Sequence, residues 1–254
     1  MKIAIHSDLH LEGYSLDKDF LADADFDVLV LAGDIVSYRT AECLHQVKAC
    51  VPDDKVVIFV PGNHEYYHGS IEEANICYQE LCDDLGFFYG NRMTVMVDDV
   101  AFVCAVGWPD LQSFPQFDVN EKAGASSTMT TDFRVVRGRT IANMVEDGVI
   151  DKQYIADSLA AVKGVVDKVV VVTHFAPLET LGNLMFEPSP LSAFFSNDYT
   201  DIVYEHVPDV WVFGHVHYNH DARVYGTRFV SNQRGYRREH YCNADYDANK
   251  IIEV

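Results

Sequence analysis

Short apolar runs rich in β-branched residues recur along this chain, and each breaks off at or near a glycine, a carboxylate or an imidazole. Lys2 to His6 ends at Asp8. Asp27 to Leu31 ends at Gly33-Asp34. Lys55 to Val60 is halted by Pro61-Gly62, Lys168 to Val172 runs into Thr173-His174, and Val210 to Phe213 leads into Gly214-His215-Val216-His217. Runs this short, bounded by turn residues, read as buried strands rather than helices.

Helical patterns lie between the early runs. Leu16 to Ala24 is expected to form a short helix and Ala41 to Ala49 another. Ser70 to Leu85 is a third, with Ser70 as its cap, Glu72 and Glu73 in its first turn and Gly86 at its end. Strand alternating with helix predicts a mainly parallel sheet in the first third. Beyond it, Met93 to Val97 and Val100 to Val106 read as a hairpin around Asp98-Asp99. Gly107 to Arg139 shows no sustained period and is expected to be a long loop, either functional or disordered. Asp151 to Val162 reads as a helix, Ala222 to Val230 as a hairpin turning at Gly226-Thr227, and Ile251 to Val254 as a last strand. No linker interrupts the chain, so residues 1–254 are expected to form a single domain.

Composition narrows the class. A hydrophobic fraction of 48% with 23% charged residues is ordinary for a globular protein. The N-terminus lacks the apolar stretch of a signal peptide, and no run approaches the ~20 residues that span a bilayer. A cytoplasmic protein with no membrane partner is the expectation. The six cysteines (Cys43, Cys50, Cys77, Cys82, Cys104, Cys242) form no Cys-x-x-Cys pair and read as reduced thiols. A net charge of −20 argues against binding extended nucleic acid. The arginines nevertheless cluster, Arg134, Arg137 and Arg139 in one segment and Arg234, Arg237 and Arg238 in another, so a locally positive pocket for an anionic group is also open.

The residues at the strand ends carry the chemistry. Asp8-Leu9-His10, Gly33-Asp34, Gly62-Asn63-His64-Glu65, Thr173-His174 and Gly214-His215-Val216-His217 offer carboxylate, imidazole and amide donors, the ligands of borderline divalent metals. Residues two apart in a strand point the same way. Asp8 and His10 therefore aim at one point if the extended geometry persists past Ser7. His215 and His217 do the same unless the turn after Gly214 splits them between two metals. Asp34, with two oxygens, is the natural bridge between a pair of cations. The remaining histidines, His6, His45, His68, His206, His220 and His240, read as core or surface residues. Two adjacent metals are a recurring means of breaking phosphate esters.

The order D-x-H, G-D, G-N-H-E, H, G-H-x-H resembles the calcineurin-like metallophosphoesterase superfamily, from Asp8 to His217. The tail Val230-Ser231-Asn232-Gln233-Arg234-Gly235-Tyr236 is similar to the Asn-Pro-Arg-Gly-Tyr strand end of a bacterial and phage branch of small phosphoesterases, with Gln233 in place of proline. The resemblance implies an α/β fold, a four-layer αββα sandwich of two mixed β-sheets flanked by helices. It implies Asp8, His10, Asp34 and His217 on one metal, and Asp34, Asn63, His174 and His215 on the second. It also places His64 beside the leaving-group oxygen as general acid or transition-state stabiliser. Asp34 is followed by Ile35-Val36-Ser37-Tyr38-Arg39 rather than the x-x-D-R-G of protein Ser/Thr phosphatases, so that branch is disfavoured.

The expected activity is hydrolysis of a phosphodiester or phosphomonoester on a small substrate, nucleotide-like ones included, by a metal-bridging hydroxide with His64 assisting the leaving group. Asn63, His64, Arg234 and Arg134 are the candidate substrate contacts. Tyr236, Trp108 and Phe114 are candidates for stacking on a base, although buried core aromatics are the commoner reading of such residues. Two divalent ions drawn from Mn, Fe, Zn, Co or Ni suit a nitrogen and oxygen donor set without thiolate. The alternatives are a metal-dependent nuclease, and a silent metal-stabilised scaffold that keeps the fold without the chemistry. Substrate identity, native metal and oligomeric state leave no mark in these residues.

Overall fold

A computed structural model describes residues 1–238 and 245–254; His240 and Cys242 lie outside the described residues. One sheet has five strands: β1 (Lys2–His6), β2 (Val28–Ala32), β3 (Val56–Val60), β4 (Phe88–Tyr89) and β11 (Ile251–Glu253). Their order is β11-β1-β2-β3-β4, parallel except for β11. The other has six: β5 (Met93–Val97), β6 (Val100–Cys104), β7 (Lys168–Val172), β8 (Val210–Val212), β9 (Asp221–Val224) and β10 (Thr227–Val230). Their order is β5-β6-β7-β8-β10-β9, with antiparallel hairpins at both edges and parallel strands between.

Period-2 alternation assigns the faces. Ile3, Ile5, Val28, Val30, Ile58 and Val60 of the first sheet pack on Phe102, Cys104, Val170, Val172, Val212 and Val230 of the second. The intervening Leu29, Leu31, Val57 and Phe59 point outwards on to α1 (Leu44–Lys48) and α2 (Ile71–Leu85). Val103, Val171, Trp211 and Phe229 likewise cover α5 (Ile141–Val162) and α7 (Thr200–His206). Each buried Val or Ile adds roughly 1.5–3 kcal/mol over an exposed one. The result is the expected αββα sandwich of two mixed sheets. No helix of the described residues is long and apolar enough to cross a membrane.

Several expectations are corrected. Leu16 to Ala24 is a series of turns, not a helix. Leu21 sits at φ +59°, and its N–H donates to the Ala248 carbonyl at 3.0 Å instead of to a preceding turn. The segment from Ala41 to Ala49 divides into a 3-10 turn (Tyr38–Cys43) and α1. Gly107 to Arg139 holds two helices, α3 (Val119–Met129) and α4 (Asp132–Val135). Within α3, Lys122 and Ser126 are the buried positions, so no apolar stripe announces it. Helix α5 begins ten residues before the expected start. Gly148 interrupts its apolar pattern because a Cβ there would lie 2.6 Å from the Trp108 carbonyl oxygen. The last hairpin turns one residue early, at Tyr225-Gly226, where φ of +48° and +93° suits a two-residue loop. Ser70 caps the start of α2 and the left-handed Gly86 ends it, as expected.

Candidate active site

Parallel strands deliver their carboxyl ends to one edge of a sheet, which is where ligand sites form in open α/β sheets. Here β1, β2 and β3 do so in the first sheet and β7 and β8 in the second. Contacts across the sandwich then join the two edges. Ser7 forms a parallel bridge with Gln233, and His174 Nδ1 meets the Ala32 carbonyl oxygen at 2.9 Å. Gly33, at φ +86°, lies so close that an added Cβ would collide with the His174 ring.

The loops after the strands are not extended. Asp8, His10, Asp34, His215 and His217 all have φ between +47° and +71°, a conformation that costs of order 1–3 kcal/mol at a non-glycine residue. Asp8 and His10 therefore do converge, but through a left-handed turn rather than the strand period expected for them. Three donor groups result, each with its ligand atoms within 4.8 Å of one another: Asp8, His10 and His217; Asp34, His174 and His215; and His10, Asp34 and His64. Asp34 belongs to two of them. His215 and His217 are split by the turn after Gly214. Asn63 joins through Oδ1, 3.1 Å from His174 Nε2.

The donor chemistry suits cations. His174 gives its Nδ1 proton to Ala32, which leaves the Nε2 lone pair facing Asn63 Oδ1 and, at 3.4 Å, Asp34 Oδ1. His10 gives its Nδ1 proton to Glu12, so its Nε2 lone pair faces His217 Nε2 at 3.2 Å. His215 Nε2 is buried with no hydrogen-bond partner. Converging acceptors of this kind call for positive charge between them. Protons otherwise take that place. Burial works against a charged His174, but Asp34, Asp8 and the Ala32 carbonyl together outweigh it and raise its pKa to about 9. Burial likewise works against ionised Asp34, and the surrounding imidazoles hold it well below the usual carboxylate range.

Two carboxylates outside the donor groups organise them. Glu65 is fully buried and accepts from four backbone N–H groups: Asp34 at 2.9 Å, Ile35 at 2.8 Å, Val36 at 3.0 Å and Gly62 at 2.6 Å. It ties the Asp34 loop to the Asn63 loop. Burial and the Asp34 charge raise its pKa to about 7, against those bonds. Glu12 places Oε1 2.8 Å from His64 Nδ1 and 3.1 Å from His10 Nδ1. Sequence reasoning missed Glu12; its spacing two residues after His10 was the available signal. Gln233 makes two bonds that a proline could not, accepting from His217 N at 2.7 Å and donating its own N–H to Asn219 Oδ1 at 2.6 Å.

Among the described residues no arginine lines the site's cavity. Arg234 is buried on the carbonyls of Leu9 and Ser15 and on Asp17, so it braces the loop after β1 rather than facing a phosphate. Arg134 reaches Thr131 Oγ1 at 3.5 Å, Arg137 pairs with Glu73, and Arg139 lies over Trp108 and pairs with Asp147. Trp108 is correspondingly buried and unavailable for stacking. Tyr236 does reach the site, its hydroxyl 3.0 Å from His64 Nε2, and Phe114 lines the adjoining cavity. Among the other histidines, His6 is buried and His45 and His68 are exposed. The five described cysteines are free thiols.

Comparisons with known proteins bear on the family and the fold. Residues 1–219 match the family model for calcineurin-like phosphoesterases. An uncharacterized protein of Acanthamoeba polyphaga mimivirus is 25% identical over 267 residues, covering 92% of this chain and 90% of that one. The fold is similar to a phosphopantetheinyl hydrolase from Mycobacterium tuberculosis, with a TM-score of 0.80, 19% identity and 99% and 95% of the two chains covered. It is also similar to a dimetal phosphatase from Danio rerio, with a TM-score of 0.52, 13% identity and 91% and 86% covered. With the motif order, the sandwich and the family match in agreement, this chain belongs to the calcineurin-like phosphoesterases and is a metal-dependent phosphoric ester hydrolase.

Proposed function

We propose that the chain hydrolyses a small phosphoester at a pair of divalent cations. Asp8, His10, Asp34 and His217 would hold one, and Asp34, Asn63, His174 and His215 the other. The observation that carries this reading is Asp34, shared between donor groups that contain His10 on one side and His174 with His215 on the other. When bound, such a pair neutralises phosphate oxygens and makes a water acidic enough to attack phosphorus. Mn, Fe, Zn, Co and Ni all suit the donors.

The chain's own groups do the rest. Glu12 holds His64 by Nδ1, so Nε2 faces the cavity, 3.9 Å from Asp34 Oδ2. Tyr67 stacks on the ring with centroids 4.1 Å apart and fixes its plane. In the folded chain alone, burial lowers the His64 pKa, but Asp34 and Glu12 outweigh it and the net shift is upward. A protonated imidazole so placed can give its proton to a departing alkoxide. His64 thus acts on the leaving group, and Asn63 lies beside it to orient a phosphate oxygen. The nuclease alternative lacks support, because no lysine or arginine lines the cavity among the described residues.

The test is reconstitution. The metal-stripped chain, loaded in turn with each of the five metals, is assayed on mono-, di-, cyclic and nucleotide phosphoesters. Turnover with two ions bound per chain is expected. A sample holding two ions that cleaves none of them would overturn the reading.

A further inference from the structure

The donor groups line part of a cavity of about 950 Å³, near the top of the ~300–1,000 Å³ range that accommodates whole small-molecule ligands. A phosphate bound by the strand-end residues would leave most of it for the rest of the ester. Three segments wall the remainder: Phe114 and Met129 from the long insertion before α5, Leu184 and Phe186 from the loop after β7, and Phe194 and Phe195 from α6 (Ser192–Phe195). Met129, Leu184 and Phe186 are 65%, 64% and 65% exposed. Single exposed apolar side chains are ordinary, but these three line one cavity.

The charge of the wall is one-sided. Beyond Asp34 it carries Asp132, Glu179 and Glu187, and among the described residues no lysine or arginine. Arg238 lies over the Tyr236 ring, 5.8 Å from its centroid, outside that lining. Glu179 already accepts from Phe114 N. Asp132 is buried; Tyr67 donates to its Oδ2 at 3.1 Å, and its Oδ1 has no partner. A second anionic group on the ester would meet like charge with nothing to pair it. An apolar chain would cover Met129, Leu184 and Phe186, and a hydroxyl or amide N–H on it would satisfy Asp132.

We infer that this site selects phosphoesters whose non-phosphate arm is an elongated, mainly apolar chain with a neutral hydrogen-bond donor, and rejects arms that carry a further anionic group. The inference rests on the phosphoester reading and deepens it. It assigns specificity to the walls, while the strand-end donors hold the phosphate whatever the arm.

Binding of non-hydrolysable phosphonates to the metal-loaded chain, measured by calorimetry, tests it. The probes are methyl-, hexyl-, 6-hydroxyhexyl- and 5-carboxypentylphosphonate. Hexylphosphonate should bind at least about tenfold tighter than methylphosphonate, since each buried methylene is worth roughly a factor of three to four. The hydroxyl should tighten binding further. The carboxylate should weaken it at least about tenfold relative to hexyl, with the deficit shrinking as salt is raised. The double substitution Met129→Ser with Phe186→Ser, at exposed positions, should pull the hexyl-to-methyl ratio towards one. Asp132→Asn should relieve the carboxylate deficit. Equal affinity for all four probes, or tighter binding of the carboxylate, overturns the inference and leaves the phosphoester reading intact. Failure of methylphosphonate itself to bind a chain with two ions overturns the phosphoester reading instead.

Discussion

Glu12 Oε1 stands 2.8 Å from Nδ1 of His64. The same oxygen is 3.1 Å from Nδ1 of His10, so one carboxylate sets the tautomer of a candidate metal ligand and of the candidate acid together. Burial opposes its charge, but hydrogen bonds and the charges of the two imidazoles lower its pKa to about 2. Replacing Glu12 with alanine should lower kcat by about 10–100-fold and weaken metal binding by a similar factor, the usual cost of losing an outer partner of a ligating histidine. Glu12→Gln should restore part of both. Steady-state kinetics beside metal titration checks this; unchanged values for both in Glu12→Ala would count against the assignment.

His64→Ala should keep two ions per chain and lose about 10²–10⁴-fold in kcat on alkyl esters. The loss should be smaller on nitrophenyl esters, whose leaving group needs no proton. Metal content by elemental analysis, with kcat on both ester types, decides. An equal loss on both would argue that His64 stabilises charge rather than delivering a proton.

Asp34→Ala should drop the bound metal below two per chain, because Asp34 belongs to two of the three donor groups and is the proposed bridge. Chelation of the unsubstituted chain should abolish turnover and lower its unfolding midpoint. A ligand at a thousand times its Kd stabilises the folded state by about 4 kcal/mol. Calorimetric melts with and without chelator measure it, and identical midpoints would speak against a metal held by the folded chain.

Glu65→Ala removes the acceptor for four backbone N–H groups between the Asp34 and Asn63 loops. Since a buried unsatisfied donor costs about 1–3 kcal/mol, a loss of at least about 3 kcal/mol in urea unfolding is expected. A loss under about 1 kcal/mol would show that water replaces the carboxylate.

His6 supplies a pH test. Burial first, and then the Arg234 charge, lower its pKa to about 3, against an ordinary value of about 6.5. Between those values the unfolded chain binds a proton that the folded chain does not. The stabilisation is therefore complete above about pH 6.5 and is lost as pH falls towards 3. The stability advantage of the metal-free chain over His6→Asn should shrink by about 1.4 kcal/mol per pH unit below about 6.5. A difference independent of pH would place His6 in contact with solvent.

Most strands were legible because their signal is local, while the two-residue β4 (Phe88–Tyr89) was too short to be read. Short β-branched runs ending near a glycine, a carboxylate or an imidazole, and the Ser70 and Gly86 caps, need only neighbouring residues to be read. The turns from Leu16 to Ala24, the polar helix α3 and the first half of α5 were not, because each is held by distant contacts such as Leu21 with Ala248 and Gly148 with Trp108.

The same division runs through the site. The sequence by itself determined which donor atoms exist and that each follows a strand. Only the tertiary structure decided that Asp34 lies between two groups, that Glu12 and Glu65 brace them, and that Arg234 is buried against the loop after β1. His10 and His217, with ring nitrogens 3.2 Å apart, are separated by 207 positions in the chain. Their meeting depends on two sheets packing face to face and on left-handed turns at both residues, and a pattern of neighbouring side chains carries no information about either.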